Sequence, residues 1–248
     1  MEVSRLLAQN GAPHGTVITA DFQEEGRGRI RGRRWEFEKG SSLAFTIFLR
    51  FTTIPVGLTL RAGLAAALAI EEFAPSLSGK AMIKWPNDIL LPALASDGKP
   101  SALKAAGILA EAENNNVHIG IGVNVSQKQM PAFLRDKATS LSIAANAQYD
   151  SGDRYNLLDK ILSRLGGEIA NAKGADDWQE RVEARLYKKG GLICFAKGAA
   201  DSGSLVTGTL SGIGPEGELL IIPQGKTGPL SFTAGEIFYS GHGHYPDP

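Results

Sequence analysis

The chain contains 248 residues, enough to bury a hydrophobic core without help from disulfides or a structural metal. Its 26 basic and 26 acidic side chains cancel, so no overall charge attracts it to nucleic acid or to an anionic membrane. A composition of 43% hydrophobic and 21% charged residues is that of a folded globular protein and excludes extensive disorder.

The sequence also does not look like that of a membrane or secreted protein. Its longest nearly pure apolar run, residues 64–70, is far shorter than the ~20 residues of a membrane-spanning helix. No basic-then-apolar stretch opens it, so we expect no secretory signal. The single cysteine, Cys194, cannot form an internal disulfide, and the four histidines do not fall at zinc-binding spacing. We therefore predict a cytoplasmic protein.

The first part of the chain predicts strands around one long helix. A β-branched run at Val17–Ala20 is followed by a polar, arginine-rich loop over residues 23–35 and an apolar strand over residues 43–49. Apolar side chains at helical spacing predict a helix over residues 55–73, with Pro55 at its first position.

Turn residues divide the middle of the chain. Pro86-Asn87-Asp88 ends one predicted strand, residues 92–101 form a loop, and Asn114-Asn115-Asn116 joins two strands into a hairpin. The predicted strands are residues 81–85, 89–91, 105–111 and 117–125, and the predicted helices are residues 155–170 and 178–186.

The last quarter differs, because short strands follow one another with glycine-rich turns and no helical pattern between them. The predicted strands are residues 192–195, 204–210, 218–222 and 231–238. We therefore divide the chain into an α+β unit, a mixed β-sheet flanked by helices over residues 1–189, and a small all-β unit over residues 190–248. Residues 212–217 match the dinucleotide-binding pattern, but they lie between two strands and contain Pro215, so we interpret them as a hairpin turn.

Five of the thirteen arginines lie within eight residues of the segment Gly26-Arg27-Gly28-Arg29-Ile30-Arg31-Gly32-Arg33-Arg34-Trp35. Glycines let a backbone approach a ligand closely, and guanidinium groups make paired hydrogen bonds to phosphate or carboxylate. Trp35 adds a flat face for stacking. Taken alone, the segment fits binding of a small anion, contact with RNA, or a solvated loop.

Two further segments combine a lysine with tight backbone geometry. Lys84-Trp85-Pro86-Asn87-Asp88 puts a lysine and a carboxylate at a rigid turn, where they suit an anion and a metal-bound anion, or form only a hairpin with a salt bridge. Lys104-Ala105-Ala106-Gly107-Ile108-Leu109-Ala110-Glu111 opens an apolar strand with a lysine, and Gly107 indicates close approach of backbone or ligand. A lysine that marks an exposed strand start would look the same.

The fourth segment is Gly120-Ile121-Gly122-Val123-Asn124-Val125. Two glycines one residue apart in a strand leave a groove in which a ligand could lie. Asn124 either offers its amide to that ligand or is a structural asparagine at a strand end. Cys194 lies in an apolar strand with no candidate base nearby, so neither a Cys-His nor a Ser-His-Asp mechanism is indicated.

In this order, the four segments resemble the biotin protein ligase family. The family's pattern is Gly-Arg-Gly-Arg-x-Gly-Arg, then Lys-Trp-Pro-Asn-Asp, then Lys-x-x-Gly-Ile-Leu-x-Glu, then Gly-x-Gly-x-Asn-Val. The tail, with Phe232-Thr233-Ala234-Gly235-Glu236-Ile237, is similar to the SH3-like β-barrel that follows the biotin/lipoate ligase-like catalytic domain in those enzymes. Any one motif is weak, but together they cover essentially the whole chain.

The resemblance implies an ATP-dependent biotin–protein ligase. Such an enzyme joins the carboxylate of biotin to the α-phosphate of Mg-ATP, and pyrophosphate leaves. It then transfers biotin from biotinyl-5′-AMP to a lysine of a biotin carboxyl carrier protein of a biotin-dependent carboxylase. Cationic donors offset the repulsion between the two anions, and the intermediate must be kept from water. No enzyme nucleophile is required.

The resemblance also implies roles for individual residues. The implied catalytic residues are Lys104 and Arg27. The residues implied to bind biotin are Gln23, Arg27, Gly28, Arg29, Lys104 and Gly107. The residues implied to bind the nucleotide are Arg29, Trp35, Lys84, Asn87, Asp88 and Asn124. Magnesium is expected with ATP, and no residue is assigned to it directly.

The chain departs from the family pattern in two places. An extra residue, Ile30 or Arg31, separates the two Gly-Arg units, which changes the register at Arg33 and Trp35. The family's Ser-Thr pair, which helps hold the biotin ring, should lie just before Met1, and Ser4 is not an obvious substitute because it lies inside a helical pattern. We expect translation to start upstream of Met1, and the alternative is an incomplete, weaker pocket.

No winged-helix segment precedes the motifs, so we expect the short form of the family, a monomer or homodimer that does not bind DNA. Other functions stay open. A lipoate or octanoate ligase or transferase shares the fold, although the arginine-rich loop and the Lys-Trp-Pro-Asn-Asp segment favour biotin. A nucleic-acid-binding protein would use residues 26–35, with affinity that falls steeply with salt. A catalytically impaired homologue would bind biotin without releasing pyrophosphate.

Overall fold

A computed structural model describes residues 1–29, 35, 38–172, 177–197 and 205–239. The helices are α1 (Glu2–Gln9), α2 (Leu58–Phe73), α3 (Leu141–Ala145), α4 (Asp153–Asn171) and α5 (Trp178–Glu183). The strands are β1 (Val17–Ala20), β2 (Ser42–Arg50), β3 (Met82–Lys84), β4 (Asp88–Leu94), β5 (Pro100–Glu113), β6 (Asn116–Asn124), β7 (Leu192–Lys197), β8 (Leu205–Ile213), β9 (Leu219–Pro223), β10 (Leu230–Phe232) and β11 (Gly235–Phe238).

Six strands form the main sheet, in the order β1-β2-β6-β5-β4-β3. The predicted α+β architecture is confirmed. The expectation of a mixed sheet is wrong for the described strands, because every ladder is antiparallel and parallel pairing is limited to the isolated bridges Ile83–Leu186 and Lys104–Ala138. The short turns that join β3 to β4, β4 to β5 and β5 to β6 reverse the chain, and a reversed chain pairs antiparallel.

Helix α2 packs on one face of the main sheet, against β4 and β5, because most of its side chains are apolar. It begins at Leu58, so the prediction that Pro55 occupies its first position is wrong. Gly57 precedes it with a left-handed φ of 65°, and a Cβ there would lie 2.5 Å from the Trp178 ring. The chain therefore enters helical geometry only after Gly57.

Strand β4 extends to Leu94, whereas the sequence predicted a loop from Pro92 onward. Strand β5 pairs with β4 over this extension, but β3 pairs with β4 only as far as Leu90. Beyond that point no described strand lies on the outer edge of β4. A proline fits there, because an edge strand can lack one backbone N–H without losing a ladder hydrogen bond.

Helix α5 ends at Glu183, earlier than the predicted residue 186. The next residues pair with the main sheet instead, since Ile83 donates its N–H to Arg185 O at 2.8 Å and accepts from Tyr187 N at 2.9 Å. Helix α4 agrees with its prediction to within two residues at each end.

The remaining strands form a second antiparallel sheet, in the order β10-β9-β8-β7-β11, as expected for the small all-β unit. The predicted strand over residues 231–238 is two strands, because the chain turns at residues 233–234 and Gly235 has a φ of 152°. Residues 214–218 form the turn between β8 and β9, closed by Gly214 N donating to Glu218 O at 2.8 Å, so the hairpin interpretation is confirmed. Residue 204, the predicted start of β8, lies outside the described residues.

The two sheets meet at Trp85. Its Nε1 donates to Gly217 O at 3.0 Å, and its ring centroid lies 6.1 Å from that of Phe195 in β7. In the part of the chain that the structure describes, no helix is long and apolar enough to cross a membrane.

Candidate functional site

The two faces of the main sheet differ in side-chain size. The face that packs against α2 and α4 carries large apolar side chains: Phe45, Ile47, Ile108, Ile119 and Ile121. Alternation along the strands puts small side chains on the other face: Ala44, Thr46, Gly107, Gly120 and Gly122. Helix α1 and residues 23–29 cover that face and enclose a cavity of about 530 Å³. This volume is within the range of small-ligand pockets, about 300–1,000 Å³.

Gly107 and Gly122 are paired across β5 and β6 and form a flat floor. A Cβ on Gly122 would lie 2.8 Å from the Trp35 ring, and a Cβ on Gly107 would lie 3.6 Å from it. The buried Nε1 of Trp35 has no hydrogen-bond partner among the described residues. The floor therefore accepts an aromatic ring, and an unused donor lies beside it.

Lys104 shares the cavity face with Gly107 because β5 is irregular between them. Residues three apart in a regular strand point to opposite faces. The pairing of β4 with β5 shifts register between Ile89 and Leu90, which leaves Ala105 as an extra residue and turns Lys104 onto the cavity face. A Cβ on Gly107 would lie 3.1 Å from Lys104 Nζ, so the lysine crosses directly over the glycine.

Asp88 pairs with Lys104. The distance from Nζ to Oδ1 is 2.6 Å, and both side chains are partly buried. Asn87 attaches the preceding turn to β5, because its Nδ2 donates to Ile108 O and its own carbonyl accepts from Ile108 N, each at 2.8 Å. The second and third sequence motifs therefore form one unit at the edge of the cavity.

Residues 23–29 form the outer wall of the cavity. Arg27 forms an ion pair with Glu2 of α1, and Arg29 Nη2 donates to Gly235 O at 2.9 Å, at the start of β11. Trp35 N donates to Gly26 O at 2.9 Å. The wall is thus attached to the first helix and to the second sheet, and its two guanidinium groups line the same cavity as Lys104.

Most of the residues that the sequence singled out lie together. Those that line the cavity are Gln23, Arg27, Gly28, Arg29, Trp35, Asn87, Lys104 and Gly107. Asp88 contacts Lys104. Ile30, Arg31 and Arg33, the positions affected by the extra residue, lie outside the described residues.

The structure does not bring Lys84 and Asn124 to the cavity. Lys84 Nζ lies 5.4 Å from the centroid of the Tyr239 ring, toward the second sheet. Asn124 is buried, donates from Nδ2 to Thr139 O at 3.0 Å, and accepts at Oδ1 from Ser42 Oγ at 3.3 Å. These two hydrogen bonds use both ends of the Asn124 amide.

Helix α1 is the part of the site that the sequence reasoning missed. Glu2 and Arg5 line the cavity, and Arg5 pairs with Glu111 of β5. Ser4 points to the sheet, where its Oγ lies 2.7 Å from Nδ1 of the buried His118. Burial, and then the positive charge of Arg5, lowers the pKa of His118. The helical pattern of this segment was visible, but the pattern does not say which sheet face the helix covers.

A second cavity, of about 520 Å³, adjoins the first, and Arg29 and Asn87 line both. The start of α2 and the turns at residues 216–217 and 233–234 form its other walls. No group of three or more His, Cys, Asp or Glu side chains within the described ranges could hold a metal ion.

The chain is similar to known ligases in sequence. Residues 3–126 match the Biotin/lipoate A/B protein ligase family. The chain is 30% identical over 238 residues to a biotin–[acetyl-CoA-carboxylase] ligase of Paracoccus denitrificans, covering 90% of each protein. It is 41% identical over 164 residues to the bifunctional ligase/repressor BirA of Bacillus subtilis, which is 63% of this chain. That match spans only 46% of the length of BirA.

The fold is also that of a solved ligase. The biotin protein ligase from Aquifex aeolicus, in complex with biotin and ATP, matches with a TM-score of 0.76 and 27% identity, over 95% of this chain and 93% of that one. The fold of this chain, with its cavity over a pair of glycines, is therefore that of the biotin protein ligases. The chain belongs to the Biotin/lipoate A/B protein ligase family, as the order of the four motifs indicated.

Proposed function

We propose that this chain is an ATP-dependent biotin–protein ligase. The observation that carries the proposal is that Lys104, Arg27 and Arg29 line one cavity whose floor is the Gly107–Gly122 pair. The Trp35 ring lies on this floor, and three cations suit a reaction in which a carboxylate must approach a phosphate. The name of the Paracoccus denitrificans relative and the biotin and ATP of the Aquifex aeolicus complex support the same function.

In the first step, a carboxylate oxygen of biotin attacks the α-phosphorus of ATP, and the bond to the pyrophosphate oxygen breaks. Lys104 leaves Asp88 and binds the biotin carboxylate and an α-phosphate oxygen. Its positive charge then stabilises the negative charge that develops on those oxygens. Arg27 and Arg29 bind the same oxygens from the outer wall. The cavity is partly buried, so these charges interact more strongly than they would in water.

In the second step, the amine of a carrier lysine attacks the carbonyl of biotinyl-5′-AMP. An amide bond forms, the bond to AMP breaks, and the amine loses a proton. Residues 23–29 keep water from the mixed anhydride until the lysine arrives, with Gln23 and Gly28 against biotin. Trp35 packs near the adenine, where its unpartnered Nε1 can donate a hydrogen bond.

The nucleotide lies beside Asn87 and Asp88. Asp88 is the carboxylate that would hold Mg²⁺ brought with ATP, since one or two carboxylates bind that ion together with phosphate oxygens and water. Its partner in the ligand-free protein is Lys104. When bound, the metal would neutralise phosphate charge.

The partner is a biotin carboxyl carrier protein, for which the acetyl-CoA-carboxylase ligase name of the relative is the support. We propose the cytoplasm as the compartment, and a single, buried thiol fits a reducing compartment. The catalytic unit spans residues 1–189 and the all-β unit spans residues 190–248.

The test is pyrophosphate release from Mg-ATP with either biotin or lipoate, compared between the wild-type chain and Lys104→Ala. Release with biotin alone, lost in the variant, is the expected result. Release with lipoate alone would replace the proposal by a lipoate ligase. Calorimetric binding of biotin without any pyrophosphate would identify a catalytically impaired homologue, and no binding of either acid would overturn the proposal.

A further inference from the structure

The wall-forming segment leaves the main sheet after Ala20 and returns to it at Ser42, and both ends meet one guanidinium group. Arg154 of α4 donates from Nη2 to Asp21 Oδ1 at 3.0 Å and from Nη1 to Ser42 O at 3.1 Å. Its Nε donates to Ser151 O at 2.9 Å. The three donors use the rigid fork of the guanidinium, which a lysine could not reproduce.

Backbone hydrogen bonds close the same two ends. Gly40 N donates to Asp21 O at 3.0 Å, and Gly40 has a left-handed φ of 78°. Ser41 O accepts from Val125 N at 3.2 Å and from Ser126 N at 2.9 Å. The returning end of the segment is thereby tied to the chain that follows β6, while Arg154 ties the departing end to α4.

The burial of Arg154 costs free energy that a purely structural role does not explain. Its side chain is only 7% exposed, and burying a charge is unfavourable unless it is paired and hydrogen-bonded. Its partner Asp21 is 54% exposed, so the ion pair adds little to the free energy of unfolding. Well-packed apolar side chains could supply the same stability. What the pair does provide is a fixed position for the start of the segment that follows Ala20. Gln23, Arg27 and Arg29 of that segment line the cavity.

We infer that Arg154 is a positioning residue that acts through Asp21 to hold residues 21–29 in their ligand-binding arrangement. The expected change in KM rests on the proposed function, whereas the expected change in amide hydrogen exchange of residues 21–29 does not. If the clamp is weakened, a smaller fraction of molecules has the wall in place, and the apparent affinity for ligand falls by that fraction. Molecules that do bind ligand then react at the normal rate.

The test uses Asp21→Asn, which removes the charge of the ion pair and leaves Arg154 a weaker acceptor. Because this side chain is half exposed, the change should not prevent folding. We expect amide hydrogen exchange of residues 21–29 in the ligand-free protein to become about tenfold faster, and KM for biotin to rise about fivefold, while kcat for pyrophosphate release changes less than about twofold. Arg154→Lys should act in the same direction, since it keeps the charge but loses the fork.

Asp97→Asn is the matched control, because that carboxylate is 51% exposed and pairs with Lys99 on a distant turn. It should leave both exchange and KM unchanged. In an Arg27→Ala background, Asp21→Asn should raise KM less than about twofold, because the two changes act through one segment.

Unchanged exchange of residues 21–29 in Asp21→Asn would overturn the clamp, whatever the protein catalyses. An undiminished KM effect in the Arg27→Ala background would show that Asp21 does not act through the arginines, and would also overturn it. If the wild-type chain releases no pyrophosphate with biotin, the proposed function fails, and the exchange measurement still decides the clamp.

Discussion

Lys104 lies over Gly107 because Ala105 is an extra residue in β5. A side chain with the right chemistry would otherwise point into the helix-covered core, where an ammonium group would be costly. The 2.6 Å contact with Asp88 then holds it at the cavity edge. At the scale of single residues, the site therefore depends on a backbone irregularity and on one ion pair.

Replacing Lys104 by Ala should reduce adenylate formation about 10²- to 10³-fold, because a positioned cation at developing charge contributes about that factor. The melting temperature should fall by a few degrees, because the mostly buried carboxylate of Asp88 loses the cation that compensates its charge. Pyrophosphate release and thermal unfolding measure the two effects. Lys99→Ala, at an exposed lysine, is the control, and normal turnover in Lys104→Ala would remove Lys104 from the mechanism.

His118 should make stability depend on pH. Burial, and then Arg5, lowers its pKa in the folded protein, whereas an unfolded histidine titrates near about 6.5. As the pH falls below that value, the unfolded chain binds the proton first, so the free energy of unfolding decreases until the pKa of folded His118 is passed. Urea denaturation between about pH 7 and pH 5 should show a shallower decrease in His118→Gln, and an equal decrease would contradict this assignment.

At the scale of elements, β6 builds both the core and the cavity. Its odd-numbered residues, such as Ile119 and Ile121, are buried against the helices, while Gly120 and Gly122 leave space on the opposite face. Successive side chains of a strand point to opposite faces of the sheet. In β6 this alternation separates the hydrophobic core from the ligand site. Helix α1 and residues 23–29 turn that empty face into an enclosed cavity.

Gly122→Ala should impair ligand binding much more than folding, because the new Cβ would lie 2.8 Å from the Trp35 ring and displace it from the floor. We expect KM for ATP to rise at least about tenfold, with the free energy of unfolding changed by less than about 1 kcal/mol. The matched control is Gly167→Ala in α4, where no atom lies within 4 Å of the new Cβ. It should stabilise the protein by about 0.5–1 kcal/mol without changing activity. A normal KM in Gly122→Ala would show that the indole does not need this floor.

At the scale of the whole molecule, the second sheet is connected to the cavity rather than merely attached to the chain. Trp85, inside the motif that supplies Asn87 and Asp88, donates to Gly217 O, and Arg29 donates to Gly235 O. The two contacts join residues next to the site to a turn of the second sheet and to the start of β11. The orientation of the two sheets and the geometry of the site are therefore coupled.

Trp85→Phe should lower the free energy of unfolding by about 1–3 kcal/mol, because the Gly217 carbonyl loses its partner and the smaller phenyl ring leaves part of the buried indole site unfilled. Urea denaturation measures the loss. Tyr155→Phe, at an exposed aromatic residue, should change stability by less than about 0.5 kcal/mol. Equal stability of Trp85→Phe and the wild type would mean that the hydrogen bond does not hold the sheets together.

The sequence by itself determined most of the elements, the all-β character of the tail and the family, because these depend on local periodicity, turn residues and the order of short motifs. Val17–Ala20, the hairpin at residues 114–116 and the turn at residues 212–217 are local features, and each was predicted. Pro92 and Pro55 were misjudged because pairing across an edge and packing against Trp178 decide those boundaries.

Only the tertiary structure decided which motif residues share the cavity. The bulge at Ala105 turns Lys104 toward Gly107. Lys84 lies near the Tyr239 ring instead. The Asn124 amide is hydrogen-bonded to Thr139 and Ser42. Arg154 meets Asp21 from 133 positions away in the chain. A periodicity or a motif describes neighbours along the chain, whereas these contacts join distant segments, and their geometry exists only after the sheet, its bulge and α4 have packed together.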